Sequence, residues 1–249
     1  MNSRFRIEPV EIARREADSS SFLLHTDPGK PITLVYRFWL IHGPDGVTVV
    51  DTGPDAGEAL ERGFPVERDM VAALVERGID PAKVGTLILT HLHWDHAGAA
   101  DLLPEATVWL QKREVAFFND PVRAHSSIDR YFGRHEMIRD LLASPRLNLV
   151  DGDATLPNGL GIVPLGGHTP GLQGVAVSTE EGLSIIASDA VPFNRNYIDD
   201  LPNGIVHDLE QAIGSLERLR SLAPDFIYTG HDPEPRFTPV GNADTRKQT

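Results

Sequence analysis

Three histidines and an aspartate fall within six residues, His91-Leu92-His93-Trp94-Asp95-His96, directly after the apolar run Thr86-Leu87-Ile88-Leu89. An apolar run ending in such a loop reads as a strand that delivers polar side chains to the edge of a sheet. Extended chain repeats its faces every second residue, so His91 and His93 can reach one ion, with Asp95 continuing the row. His96 breaks that period, so the chain turns there or the ring points elsewhere. Ala97-Gly98-Ala99-Ala100 permits a tight turn into a short helix. The economical arrangement is two ions side by side, His91 and His93 on one, Asp95 and His96 on the other. Imidazole and carboxylate donors suit zinc, with iron and manganese as substitutes. A solvated polar loop would account for any one of these histidines, but poorly for all four donors together.

Four residues do not close two metal sites, and three later positions offer the remaining donors. His168 lies in Pro164-Leu165-Gly166-Gly167-His168-Thr169-Pro170-Gly171, where glycines and prolines set an unusual backbone path. Asp189 follows the apolar run Ile185-Ile186-Ala187-Ser188, and His231 follows Phe226-Ile227-Tyr228-Thr229-Gly230. Taken singly, these are a loop histidine, a helix cap and a surface residue near a Pro-rich tail.

The full pattern resembles the metallo-β-lactamase superfamily: H-x-H-x-D-H, a distant His, an Asp and a final His, preceded by an Asp-Thr-Gly turn, here Asp51-Thr52-Gly53. The resemblance runs from about Pro31 to His231. It implies a four-layer αββα sandwich of two mixed β-sheets flanked by helices. It also implies a first ion on His91, His93 and His168, a second on Asp95, His96 and His231, and Asp189 bridging both. The chemistry implied is hydrolysis of a lactone, ester, thioester or amide by a hydroxide bridging the two ions. Asp95 would accept the proton of the attacking water. Asp51, on a neighbouring strand end, is the candidate for orienting an imidazole ligand, unless it serves turn formation alone.

Length and charge narrow the class. The 249 residues allow one large α/β domain or two small ones, and the reading adopted is one domain spanning 1–249. No apolar run approaches the roughly 18 residues of a membrane span. The N-terminus, Met1-Asn2-Ser3-Arg4-Phe5-Arg6-Ile7, lacks the apolar stretch of a secretory signal, so a cytoplasmic protein is expected. There is no cysteine, which excludes disulfides and thiolate ligands. Asp and Glu outnumber Lys and Arg 36 to 23, a formal charge of −13. Nucleic-acid processing needs basic surface to hold phosphates, so a nuclease is disfavoured. The expected partner is a small-molecule substrate, with no nucleic acid and no membrane, for a monomer or homodimer.

Along the chain, residues 32–41 and 47–50 read as strands joined by the turn Gly43-Pro44-Asp45-Gly46. Residues 69–78 read as a helix ending at Gly78. Further strands are expected at 84–89, 107–110, 147–150, 162–165, 175–177, 183–187 and 226–228, with an amphipathic helix at 209–222. Two batches of strands, each with helices, suit two sheets packed face to face. The last ten residues, from Val240, read as a frayed tail.

Residues 112–144 depart from this rhythm, with helical character and many aromatics and cations, and read as a helical insertion. In lactonase-like relatives the matching region caps the metal cleft; otherwise it is an amphipathic hairpin with its aromatics in the core. Length and organisation most resemble the N-acyl-homoserine-lactonase-like branch. That branch often carries a tyrosine three residues after the bridging aspartate, where this chain has Pro192 followed by Phe193. Tyr197 either substitutes for it or packs internally, and Arg195 either binds a substrate carboxylate or faces water. Phe117, Phe118, Tyr131, Phe193, Arg195 and Tyr197 are the candidate pocket residues. The alternatives are a glyoxalase-II-like thioesterase, for which no C-terminal basic motif is found, and a non-catalytic metal-binding protein, whose relatives usually lose ligands that this chain keeps.

Overall fold

A computed structural model describes residues 5–66 and 68–239. The tail expected from Val240 lies outside the described residues. The chain forms two compact units, one of Arg6–Arg15 with Val35–Asp151, the other of Glu16–Leu34 with the chain from Gly152.

The first sheet holds, in spatial order, β1 (Arg6–Asp18), β2 (Pro31–Gly43), β3 (Gly46–Val50), β4 (Thr86–Ile88), β5 (Thr107–Gln111) and β6 (Leu147–Val150). β2 and β3 form an antiparallel hairpin with Gly43 opposite Gly46, and β3 through β6 run parallel. The Leu34–Ile41 stretch of β2 is buried throughout, as an interior strand covered on both faces must be. Short helices accompany these strands: α1 (Ala56–Glu61), α2 (Met70–Val75), α3 (Trp94–Ala97), α4 (Lys112–Asn119), α5 (Ser126–Asp129) and α6 (His135–Ala143). Met70, Ala73 and Leu74 of α2 share a core with Leu87, Leu89, Val108 and Leu110.

The second sheet runs β7 (Ala154–Thr155), β8 (Gly161–Pro164), β9 (Gln173–Thr179), β10 (Gly182–Ser188), β11 (Phe226–Thr229) and β12 (Arg236–Phe237), each beside the next. Only β10 and β11 are parallel, and their register breaks between Ile186 and Ser188. Parallel neighbours need a crossover, supplied by α7 (Asn194–Ile198) and α8 (Leu209–Leu222). Leu216 and Leu219 of α8 pack on Val163, Leu165, Ile185 and Ile227. Among the described residues, no helix is long and apolar enough to cross a membrane.

Most expected elements form within a residue or two of their predicted ends. The helix expected at 69–78 is shorter: Asp69 stays outside as the N-cap, accepting from Ala72 N at 2.8 Å, and the chain leaves the helix before Gly78 at φ +71°. The long β1 was not foreseen, because Pro9 and the charged run from Arg14 argue against a strand. Its place at the edge of the sheet accommodates both.

Candidate metal centre

In the first unit, the parallel strands β3 and β4 end side by side, and their carboxyl ends carry the donors. Such ends are where open α/β sheets present ligand-binding residues. Asp51 N donates to Ile88 O at 2.9 Å, which brings the residue after β3 level with the exit of β4. His91 and His93 then follow in extended chain, but the helical turn α3 begins at Trp94, earlier than expected. His96 N and Ala97 N both donate to His93 O, at 3.0 and 2.9 Å. Asp95 therefore leaves the row of His91 and His93 and joins His96 on a helical turn. Possible ligand atoms of His91 and His93, of Asp95 and His96, and of His91 and His96 lie within 4.8 Å of one another. The His91 ring is 4.6 Å from His93 and 4.2 Å from His96, and all three imidazoles are buried.

Hydrogen bonds fix which nitrogen each ring presents. His96 Nδ1 lies 2.8 Å from the fully buried Asp51 carboxylate, which only accepts, so the neutral ring carries its lone pair on Nε2. Thr90 Oγ1 donates to the same Asp51 oxygen at 2.8 Å and therefore accepts from His91 Nδ1 at 3.1 Å. His91 too then presents Nε2. Asp51 also accepts from Thr90 N at 2.7 Å. Thr52 ties the other side of the loop, its N and Oγ1 donating to His96 O at 2.7 and 2.9 Å.

In the second unit, the loop between β8 and β9 carries His168, and the ends of β10 and β11 carry Asp189 and His231. His168 Nδ1 donates to Ile205 O at 2.6 Å, so its lone pair also lies on Nε2. That Nε2 stands 3.3 Å from Asp189 Oδ2, while His231 Nε2 stands 3.0 Å from Asp189 Oδ1. One carboxylate thus lies between two imidazoles with one oxygen toward each. For His168 this places a lone pair toward a carboxylate oxygen, a contact that a borderline divalent ion bound by this all-N/O donor set would relieve. Asn203 supports the loop, donating to Asp189 O at 3.0 Å and accepting from Ile205 N at 3.0 Å. Gly230 lets β11 pass close by, since a Cβ there would lie 2.5 Å from Asp189 Oδ1.

The proposed pocket residues have distinct surroundings. Phe117 and Phe118 belong to the hydrophobic core of the first unit with Phe132, and Arg123 lies over the Phe118 ring. Tyr131 is half-buried, its ring 5.5 Å from that of His93. Phe193 packs edge-on against Phe22, which also meets His231 at 5.8 Å. Arg195 lies on the surface, paired with Asp199 at 2.8 Å and Asp27 at 3.3 Å. Tyr197 packs on Phe237 beneath Arg220, and burial pushes its phenol up from the ordinary value. Sequence reasoning missed two supporting residues, the fully buried Glu114, which accepts from Leu92 N at 3.0 Å, and Asn203. A glutamate one turn into an amphipathic helix and an asparagine in a loop carry no spacing signal.

The family model of the metallo-beta-lactamase superfamily matches residues 36–231, a span that holds all seven donors. The chain belongs to the metallo-β-lactamase superfamily. Within that superfamily it is 28% identical over 248 residues to an N-acyl homoserine lactonase of Bacillus cereus, covering 90% of this chain and 92% of that one. It is 31% identical over 218 residues to the N-acyl homoserine lactonase AttM of Azorhizobium caulinodans, covering 79% and 81%. A solved N-acyl homoserine lactone hydrolase with N-hexanoyl-L-homoserine bound at its catalytic metal center aligns with a TM-score of 0.78 and 25% identity, over 94% of this chain and 95% of that one. Two mixed six-stranded sheets flanked by helices are the superfamily fold, as the sequence resemblance implied.

Proposed function

We propose that this chain is a metal-dependent hydrolase that opens lactones, with N-acyl homoserine lactones as the first substrates to test. The Asp189 carboxylate, facing an imidazole with each of its oxygens at 3.0 and 3.3 Å, carries the reading. Its support is a chain whose curated relatives are N-acyl homoserine lactonases over most of their length. Both units serve one catalytic domain in this proposal, and residues 112–144 border its substrate side. His91, His93 and His168 would hold one ion, Asp95, His96 and His231 a second, and Asp189 would bridge them. Zinc suits these donors, with iron or manganese as substitutes. When bound, the ions supply a water acidic enough to attack near neutral pH and Lewis acidity toward a carbonyl.

The protein's own groups do the rest. Asp51 and Thr90 hold His96 and His91 with Nε2 presented. Asp95, in the first turn of α3, would accept the proton of the attacking water and return it to the departing alkoxide. Of the candidate pocket residues, Tyr131 beside His93 and Phe193 beside the His231 loop are best disposed to contact substrate. The surface pairs of Arg195 and the packing of Tyr197 favour structural roles for those two.

The deciding experiment combines metal analysis with a pH-stat assay over N-acyl homoserine lactones, a plain aliphatic lactone, an acyl-glutathione thioester and a β-lactam. The expected result is two equivalents of metal and kcat/KM highest on a lactone. Turnover of the thioester alone by the metal-loaded protein would replace this reading with a thioesterase.

A further inference from the structure

Three successive carbonyls, of the turn whose Tyr131 and Phe132 rings meet His93, are each held by a separate donor. Arg62 NH1 donates to Arg130 O at 2.9 Å, Trp94 N to Tyr131 O at 3.0 Å, and Arg62 NH2 to Phe132 O at 3.1 Å. The same guanidinium lies 4.4 Å above the Trp94 ring, within the His91–His96 motif. Glu58, one helical turn before Arg62, fixes it by accepting from Nε at 3.1 Å and NH2 at 2.7 Å. Arg62 is thus gripped on one side and grips on the other, using the planar fork that a lysine lacks.

Two further observations show that this clasp is built rather than incidental. The Glu58 side chain is only 13% exposed, so its hold on Arg62 is largely withdrawn from solvent. Residue 133 is glycine, and a Cβ at that position would overlap the Glu58 carboxylate. The clasped turn therefore needs Gly133, Glu58 and Arg62 together.

The clasp sets two rings against His93. Phe132 meets it edge-on at 5.0 Å and is buried in the core, while Tyr131 lies at 5.5 Å, tilted by 36° and half-buried. The Tyr131 hydroxyl makes no hydrogen bond with the described residues, whereas its backbone is held at both ends, its N donating to Ile128 O at 3.0 Å. Phe132 is the anchor and Tyr131 the side chain left available.

We propose that Arg62 is a positioning residue that locks the Arg130–Phe132 turn onto Trp94, so that Tyr131 stands beside His93 and contacts the acyl-amide part of a lactone substrate. A phenol offers an apolar face and one hydrogen-bond donor, which matches an amide carbonyl on a hydrocarbon chain. The inference rests on the lactonase reading above for its substrate, but the clasp itself is measurable without turnover.

The test uses the full-length metal-loaded protein and the variants Tyr131→Phe, Arg62→Met and both together. Against an N-acyl homoserine lactone, Tyr131→Phe should lower kcat/KM about tenfold, the scale of one lost hydrogen bond, while a plain aliphatic lactone changes less than about twofold. Arg62→Met should reproduce that selective loss with metal content unchanged, and Tyr131→Phe should add nothing in its background. Hydrogen exchange at Trp94 N should accelerate at least about tenfold in Arg62→Met, with strand amides unaffected. If Arg62→Met does not fold, Gly133→Ala displaces Glu58 and should give the same pattern. Equal losses on both lactones, additive effects, or unchanged exchange at Trp94 would each overturn the proposal. Wild-type protein inert toward every lactone would defeat the lactonase reading and with it the substrate contact, whereas the exchange result would still decide the clasp.

Discussion

His96 donates through Nδ1 to Asp51 at 2.8 Å, and that single bond orients a ring that reaches the site from the helical turn α3. Asp51 is itself held in a left-handed backbone conformation, φ +57°, which costs a non-glycine residue on the order of 1 kcal/mol. The cost is offset because the aspartate closes its surroundings completely, its N on Ile88 O and its oxygens on Thr90 N, Thr90 Oγ1 and His96 Nδ1. Turn formation and imidazole orientation are therefore done by one residue.

Asp51→Asn should consequently loosen metal binding more than it loosens the fold. The amide replaces one acceptor by a donor, so either Thr90 or His96 faces a like group. A loss of about 10- to 100-fold in metal affinity is expected, the usual scale for a residue that orients a ligand. Competition with a chromophoric chelator measures it, and unchanged affinity would mean that Asp51 serves the turn alone.

Gly230 has a different vulnerability. Its Cβ position lies 2.5 Å from Asp189 Oδ1 and 3.1 Å from Ser188 backbone atoms. Gly230→Ala must push the buried Asp189 carboxylate or the strand end aside, and neither has open space to move into. The expected outcome is destabilisation of about 1–3 kcal/mol by denaturant titration, accompanied by weakened metal retention. Wild-type values in both measurements would show that the β10–β11 end gives way freely.

The candidate donors could be picked out in the sequence because coordination favours such residue types at such spacing, and because most of them follow an apolar strand that was itself legible. Of what holds them, Asp51 was marked by its turn, and the other supports were not. Glu114 accepts from Leu92 N and Asn203 donates to Asp189 O, backbone groups 22 and 14 residues away, and nothing local marks such pairs. The helical turn at Trp94 was also misplaced: alternation from His91 suggested continued extension, whereas Thr52, 44 residues away, grips His96 O and favours the turn. β1 was hidden for the converse reason, its local residues arguing against a strand that only its edge position permits. Aromatic richness in residues 112–144 pointed equally to pocket and core, and the rings differ in burial, Phe117, Phe118 and Phe132 lying in the core and Tyr131 half-buried beside His93.

Acid stability should depend on Glu8. Burial alone would raise its carboxyl, but hydrogen bonds from Arg77 at 2.7 Å, His42 at 2.9 Å and Arg6 at 3.3 Å outweigh it and hold the group below the ordinary 4.5. A lowered folded-state value means stability that is present above 4.5 and lost as pH falls through the folded-state value. Glu8→Gln should therefore lower stability at neutral pH by a few tenths to about 1 kcal/mol and flatten the decline below pH 4.5. Thermal melts from pH 7 down to about 3 would show it, and parallel acid limbs in the two proteins would remove Glu8 as a contributor.

Asp189→Asn and His96→Ala are the sharpest tests of the dinuclear reading, because each leaves the strands that deliver it intact. Asparagine keeps the size of Asp189 but offers one oxygen, so it cannot present an oxygen to both His168 and His231. His96→Ala removes one imidazole and leaves the Asp51 carboxylate buried with only Thr90 to satisfy it. Both variants should fold, with His96→Ala less stable by about 1–3 kcal/mol from the stranded carboxylate. Both should lose hydrolysis by at least about 100-fold, and plasma emission should find fewer than two metal equivalents in each. Chelation of the wild type should reproduce the loss, with recovery on adding back zinc, iron or manganese in an order that identifies the preferred ion. Full activity in both variants, or chelator-resistant activity in a metal-free wild type, would rule out two ions bridged by Asp189 as the source of catalysis.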